Sequence, residues 1–456
     1  MEHLDVLIVG AGLSGIGAGY HVQTDCPWAE YAIFEARDAI GGTWDLFKYP
    51  GLRSDSDMFT LGYSFRPWDG EQAIADGSKI LQYINDTARE TGVEKQIRFN
   101  HRIVSADWSS ADGHWLVTAL RTDTNETLQL TVGFMFSCTG YYRYDQGYTP
   151  AFAGREDFTG QVIHPQHWPE DFDCTGKKIV VIGSGATAVT LIPSLAESAA
   201  HVTMLQRSPT YIAAVPSIDP IANALRRFLP DRISGPILRW TRAIGTQATY
   251  QISHARPELV KKVLRRQVVR NLPEGYDVDT HFSPRYNPWD QRLCADSNGM
   301  FFKAIKDGRA SVVTDQIDTF TERGIRLASG AELEADVIVT ATGLDLLFIG
   351  GMDLSVDGEP VVPNEKLTYK GMMLDGVPNF AVALGYTNAS WTLKVDLTAG
   401  YVTRLLNLLR DKGLRQCTAD ASGAEATDSP ALSLNSGYIM RVADRLPRPG
   451  TTFPWK

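Results

Sequence analysis

Twice in this chain an apolar run ends in a glycine-rich turn that passes straight into a helical pattern, and few features restrict a fold so strongly. The first copy begins at Asp5 with VLIVG, turns through Gly10-Ala11-Gly12-Leu13-Ser14-Gly15, continues as a helix to about Gln23 and closes on a second apolar run, YAIFE, at Glu35. The second begins at residues 178–182, KIVVI, turns through Gly183-Ser184-Gly185-Ala186-Thr187-Ala188 and ends in HVTMLQR at Arg207. Each reads as a strand–turn–helix–strand unit for a dinucleotide. The first glycine permits the tight turn, the second lets main chain approach a pyrophosphate, and the third packs helix on strand, a place where Ala is tolerated. The helix start then offers unpaired N–H groups to the phosphates. The predicted fold is α/β, with two Rossmann-like domains.

The residues closing each unit separate the ligands. Glu35 stands 20 residues after Gly15, where a carboxylate accepts hydrogen bonds from ribose hydroxyls. At nearly the same spacing the second unit has Arg207 and Ser208; a guanidinium there binds a 2′-phosphate, so this unit is expected to take NADPH rather than NADH. Two similar stretches, FMFSCTG at 134–140 and VIVTATG at 337–343, flank the second unit. They suggest a first domain interrupted by the second: 1–145 with 330–456 for one cofactor, 146–329 for the other. That arrangement resembles flavoproteins of the glutathione reductase type, which implies FAD in the first unit.

Composition removes other classes. A net charge of -9 over 456 residues argues against a nucleic-acid protein. Cys26, Cys138, Cys174, Cys294 and Cys417 form no C-x-x-C pair, which suits a reducing cytoplasm and disfavours metal or disulfide frameworks. The apolar stretch 7–19 lacks the basic flank of a signal peptide, and no run of apolar residues is long enough to span a membrane. Between about 210 and 285 strand signals give way to helical ones. From Arg226 to Arg270, eleven Lys or Arg stand against Asp231 and Glu258, a net +9. This insert is expected to be a solvated helical lid over the active site; contact with a membrane surface or with cofactor phosphates is the less favoured reading. Residues 418–430 read as an exposed loop, and 446–456 as a tail of low structural information.

Two further patterns carry family information. Residues 158–169, FTGQVIHPQHWP, fit F-x-G-x-x-x-H-x-x-x-W-P at Phe158, Gly160, His164, Trp168 and Pro169. Residues 42–55, GTWDLFKYPGLRSD, fit G-x-W-x-x-x-x-[FY]-P-G-x-x-x-D. Both resemble patterns of the type I Baeyer-Villiger monooxygenases, and YNPWDQRLC (286–294) and YKGMMLDGVPNFAVALGYTNASWTLK (369–394) resemble the ethionamide monooxygenase subgroup over nearly the whole chain. Relatives of that subgroup run on past the position of Lys456, so this C-terminus is expected to be short.

The resemblance implies FAD and NADPH as cofactors, dioxygen and a small ketone or sulfur compound as substrates, and esters, lactones or oxidised sulfur as products. Gly42, Thr43 and Trp44 fall at the flavin, Asp55 behind it, and Arg292 becomes the catalytic cation that stabilises negative charge as oxygen is transferred. Gln291 departs from the Lys common there, which puts more of the NADPH phosphate on Arg207 and Ser208. A helix start within 387–393 is expected to aim its positive end at the flavin. Residues 158–169 are placed as a hinge between the cofactor domains, with His164 coupling their movement. His164 and His167 lack a third ligand, so no metal site is expected. Three alternatives stay open: a flavin-containing monooxygenase restricted to nitrogen or sulfur, a disulfide reductase (disfavoured because no cysteine lies between Asp38 and Tyr63), and a non-enzymatic redox sensor.

Overall fold

The computed structural model describes residues 1–291, 293–427 and 436–455. The apolar runs of both glycine units lie in strands paired on both edges inside separate sheets, because such runs require cover on both faces. Glu2–Val9 runs parallel to Tyr31–Phe34 on one side and to Thr127–Ser137 on the other. Thr127–Ser137 is long enough to serve two neighbours along its other edge. Its first part pairs antiparallel with His114–Arg121, and Met135, Phe136 and Ser137 pair with Phe380–Val382, a strand from far along the chain. Asp353–Val356 joins the same sheet beside His101–Ser109. Among the described residues this sheet has nine strands and the second has five.

The second sheet is parallel throughout, ordered Ala310–Thr314, His201–Gln206, Lys178–Ile182, Val337–Thr340, Gln161–Ile163. Val337–Thr340 therefore belongs with the second glycine unit, which corrects the return to the first domain expected at residue 330. All four of its residues are buried between Lys178–Ile182 and Gln161–Ile163, so the chain leaves the second sheet only beyond residue 340. The likeness of FMFSCTG to VIVTATG is a likeness of position, each being the parallel neighbour of the glycine-turn strand in its own sheet.

The insert is helical, comprising Pro220–Phe228, Asp231–Ala255, Pro257–Asn271 and the short Val278–His281, with Ile212–Val215 and Cys294–Ser297 paired at its base. Its basic residues are not simply solvated. Arg239 donates to the Thr60 and Gly62 carbonyls at 3.0 and 2.5 Å and to Asp396 at 2.8 Å. Arg226 reaches the Asp69 and Gly70 carbonyls, and Arg242 pairs with Asp219. The insert is thus pinned to the first unit. Its outer side is apolar: Ile233, Ile237, Trp240 and Ile244 recur at helical spacing on one face of Asp231–Ala255, and Trp240 is 69% exposed. The expected solvated face holds for Arg227, Arg232, Arg256, Lys262, Arg265, Arg266 and Arg270, which are exposed, and is modified at Arg226, Arg239 and Arg242 and by the apolar outer face. The tail is also more than a trailing end, since Trp455 is buried edge-on against Tyr369.

Asp396 belongs to Trp391–Lys412, the helix that packs on Leu13–Asp25 behind the first glycine turn. Both partners of the Arg239–Asp396 pair are largely shielded, at 14% and 10% exposure. Arg239→Leu removes the arginine from a shielded carboxylate that then keeps only Ser64 N–H and His21, and is expected to destabilise the protein by about 3 kcal/mol. Urea unfolding of both proteins measures it; a midpoint unchanged by the substitution would contradict this docking role.

Candidate functional site

At the end of Glu2–Val9 the chain turns at Gly10 with φ +102°, a conformation that a side chain resists. A Cβ there would also stand 2.8 Å from the Cys138 carbonyl oxygen of the neighbouring strand. Gly15 lies directly over the Gly10 carbonyl, so helix and strand touch main chain to main chain. The turn opens on a cavity of about 530 Å³, lined by Gly10, Gly12, Glu35, Gly42, Thr43 and Trp44 from this unit and by Thr187 from the second. That volume suits a small-molecule or cofactor site.

Glu35 is the polar anchor of this cavity. It is buried, and accepts from Ala11 N–H at 2.7 Å through one oxygen and from Arg37 N–H at 3.0 Å through the other. Burial raises its pKa while those two bonds oppose the shift. Each oxygen keeps a second lone pair for a ribose hydroxyl.

Residues 42–55 connect the units. Gly42 lies against Gly12 and beside the Tyr144 hydroxyl, which would stand 3.2 Å from a Cβ added there. Further on, Tyr49 lies beside Thr187 and packs against the second core, and Gly51 is pressed on the Thr190 carbonyl of the helix Ala186–Leu195, where a Cβ would approach to 2.8 Å. Burial pushes the Tyr49 phenol up to about 12, so it stays protonated near neutrality. The segment then returns to the cavity at Arg53 and Asp55, whose opposite charges interact. Arg53 also donates to the Ala295 carbonyl at 3.0 Å and faces Asp296, while burial pulls its pKa down. This cation was missed in the sequence because the pattern leaves its position unspecified. Arg292, the expected catalytic cation, lies outside the described residues.

The second turn repeats the first. Gly183 has φ +126°, and a Cβ there would collide with the Ala341 carbonyl of the adjacent strand. Gly185 caps Ala186–Leu195 with no atom within 4 Å of where its Cβ would be, leaving the helix start open. Arg207 and Ser208 follow His201–Gln206 and are exposed, and the Ser184 hydroxyl donates to the Ser208 carbonyl at 3.4 Å. Unlike Thr187, Gly183, Ser184, Gly185, Arg207 and Ser208 are not part of the 530 Å³ cavity wall.

Residues 158–169 form a clasp rather than a reacting group. Phe158 packs edge-on against Phe320, Gly160 lies on the Asp336 carbonyl, and Trp168 meets Phe172 at the second core. Pro169 follows at the end of this packed turn, its carbonyl accepting from Phe172 N–H at 3.4 Å. His164 Nε2 reaches the Gly343 carbonyl at 3.3 Å, and its Nδ1 accepts from Gln166 N–H at 3.1 Å. One neutral tautomer meets both bonds, in keeping with the burial that lowers its pKa. Gln166 donates to the Arg143 and Tyr144 carbonyls at 2.9 Å, and His167 bonds to the Asp145 carbonyl at 3.1 Å. The motif thereby holds both chain crossings between the sheets, near 145 and 343.

Two glycine-turn units with a cavity between them define an α/β protein built for two dinucleotides. A family model described as flavin-binding monooxygenase-like matches residues 4–219. The chain is 53% identical over 457 residues to the FAD-containing monooxygenase EthA of Mycobacterium tuberculosis, covering 100% of this chain and 93% of that one. It is 47% identical to a probable FAD-binding monooxygenase, AlmA, of Acinetobacter, over 100% and 92% of the two chains. The chain belongs to this family of FAD-containing monooxygenases. Its fold is that of an oxidized steroid monooxygenase bound to NADP (TM-score 0.76, 23% identity, 93% and 88% of the chains) and of an open cyclohexanone monooxygenase (0.76, 20%, 94% and 90%).

The two second-unit glycines separate fold from ligand. Gly185→Ala meets no protein atom and is expected to leave the melting temperature unchanged while weakening dinucleotide binding about tenfold or more. Gly183→Ala is expected to lose stability, by about 1–3 kcal/mol. Calorimetric melting with titration of the nucleotide distinguishes them; unchanged affinity in Gly185→Ala would refute the phosphate-cradle reading.

Proposed function

We propose that this chain is an FAD- and NADPH-dependent Baeyer-Villiger monooxygenase. It inserts one atom of dioxygen beside the carbonyl of a small ketone to give an ester or lactone, the other atom leaving as water, and it also oxidises sulfides or thioamides. The observation that carries the reading is the junction itself: one family pattern walls the cavity at Trp44 and Asp55, and the other clasps both crossings beside it. Solved relatives of the same fold include a monooxygenase in complex with FAD and NADP and a cyclohexanone monooxygenase with ε-caprolactone bound.

Residues 1–145 and those after about 345 hold FAD in this proposal, and the segment between holds NADPH. Gly10 and Gly12 approach the FAD pyrophosphate, Glu35 accepts from its ribose, and Gly42, Thr43 and Trp44 line the flavin side. Gly183, Gly185 and Thr187 serve the NADPH pyrophosphate, and Arg207 with Ser208 binds its 2′-phosphate. When bound, NADPH supplies hydride and the flavin activates dioxygen. Arg292 stabilises the negative charge that develops on the attacked carbonyl oxygen, a task suited to a group that stays protonated. Asp55 is assigned to partner Arg292, and Arg53, whose charge interacts with that of Asp55, is a cation of the cavity wall. His164 couples movement of the two units instead of transferring protons, consistent with both of its nitrogens being occupied. A cytoplasmic location belongs to the same proposal, supported by five cysteines that form no disulfide; no helix among the described residues is long and apolar enough to cross a membrane.

Purified protein with FAD tests the reading: cyclohexanone should accelerate NADPH consumption, with lactone as product. Oxygenation of sulfides without any ester would favour the nitrogen- and sulfur-restricted class, and no substrate-dependent oxygen use would favour a redox sensor. Arg292→Ala should keep reduction of FAD by NADPH but lose ester formation; retention of ester formation would exclude its assigned role. Arg207→Ala should raise the KM for NADPH about tenfold or more and leave that for NADH little changed, and equal losses for both would remove it from phosphate recognition.

A further inference from the structure

On the side of Tyr386 the main cavity adjoins a second of about 210 Å³, and the two share Tyr141, Leu384, Gly385, Tyr386 and Thr387 as walls. Much of the rest of its lining is apolar, including Leu346, Phe348 and Leu446. One charged side chain among the lining residues enters it, Lys394. The ammonium lies 5.9 Å from the Tyr386 ring centroid and is packed against Gly371, where a Cβ would stand 2.7 Å from Nζ.

Among the described residues nothing accounts for this cation. Among the described residues Lys394 makes no hydrogen bond and no ion pair, and its only charge-related contact is the Tyr386 ring. Arg37 and Arg239, which are comparably shielded, each have a carboxylate within 3 Å. Lys394 also occupies the first turn of the 22-residue helix Trp391–Lys412, the end at which a positive charge is disfavoured by the helix dipole. Burial pulls its pKa below the ordinary lysine range, with no carboxylate opposing the shift. An uncompensated, half-buried cation costs stability. Such a group is retained where a ligand supplies the missing anion, and here the helix start adds its own attraction for one.

We propose that the side cavity receives the far end of the substrate and that Lys394 binds a carboxylate there, making oxo-carboxylic acids the preferred ketones of this enzyme. The proposal rests on the ketone-oxidising reading above and assigns that reading a substrate class. The two cavities share five lining residues, and the proposal places the carbonyl of one chain-like molecule on the main-cavity side of them and its carboxylate beside Lys394, so that the spacing between the two groups selects chain length.

The test uses the FAD-loaded enzyme and a series of straight-chain methyl ketones of graded length that end in a carboxylate, each beside its methyl ester. For the chain length that fits, kcat/KM for the acid should exceed that for the ester by about tenfold or more, the scale of a charge-assisted hydrogen bond. Lys394→Met should erase this ratio, mainly through KM, and Lys394→Arg should keep most of it; because the ratio is taken within one preparation, partial loss of folded protein does not alter it. A wild-type enzyme without preference for any acid, or a preference surviving in Lys394→Met, overturns the assignment. So does a raised KM for NADPH in Lys394→Met with the ratio intact, which would give the lysine to the cofactor. If the esters are oxidised without preference, only this inference fails; if neither acids nor esters are oxidised, the ketone-oxidising reading fails first.

Discussion

Each half of the molecule depends on one close contact between main chains: a glycine at a strand end, in a conformation other residues avoid, lying on the carbonyl of its parallel neighbour. Gly10 rests on Cys138 and Gly183 on Ala341. The contact fixes where the following helix begins, and hence where its free N–H groups point. Everything proposed for the cofactors follows from that placement. A side chain at either glycine would push the turn away from the neighbouring strand and take the helix start with it.

Three separate attachments keep the two units in register. Residues 42–55 leave the first glycine turn, touch the helix of the second at Thr187 and Thr190, and return to the cavity at Asp55. The clasp at 164–167 ties both crossings through backbone carbonyls, which makes it indifferent to the side chains it holds. Arg239 fastens the insert to the helix behind the first turn. The cavity lies between units whose hydrophobic cores are separate and which these contacts join.

The glycine units, the acid at Glu35, the helical insert and both family patterns were legible because each rests on local spacing: a turn, a helix start or a strand end constrains residues near one another in the chain. Arg53 was not, since nothing local distinguishes an arginine that points at Asp296 from one that points at water. The same holds for Lys394, which stands inside a stretch that was noticed for its likeness and not for its charge. The basic insert misled for a related reason. Net charge counts Arg226, Arg239 and Arg242 with the solvated residues, although carbonyls and carboxylates of the first unit, together with Asp219 of the insert itself, satisfy them.

By itself the sequence determined that two dinucleotide units exist, where each begins and which kind of charge closes it, because those properties are written in runs shorter than one strand–turn–helix. Only the tertiary structure decided that Val337–Thr340 serves the second sheet, that Phe380–Val382 completes the first, and which cations meet partners. Those outcomes turn on parallel pairing and burial between residues hundreds of positions apart, where many apolar strands would fit equally well by pattern and only the assembled sheets select among them.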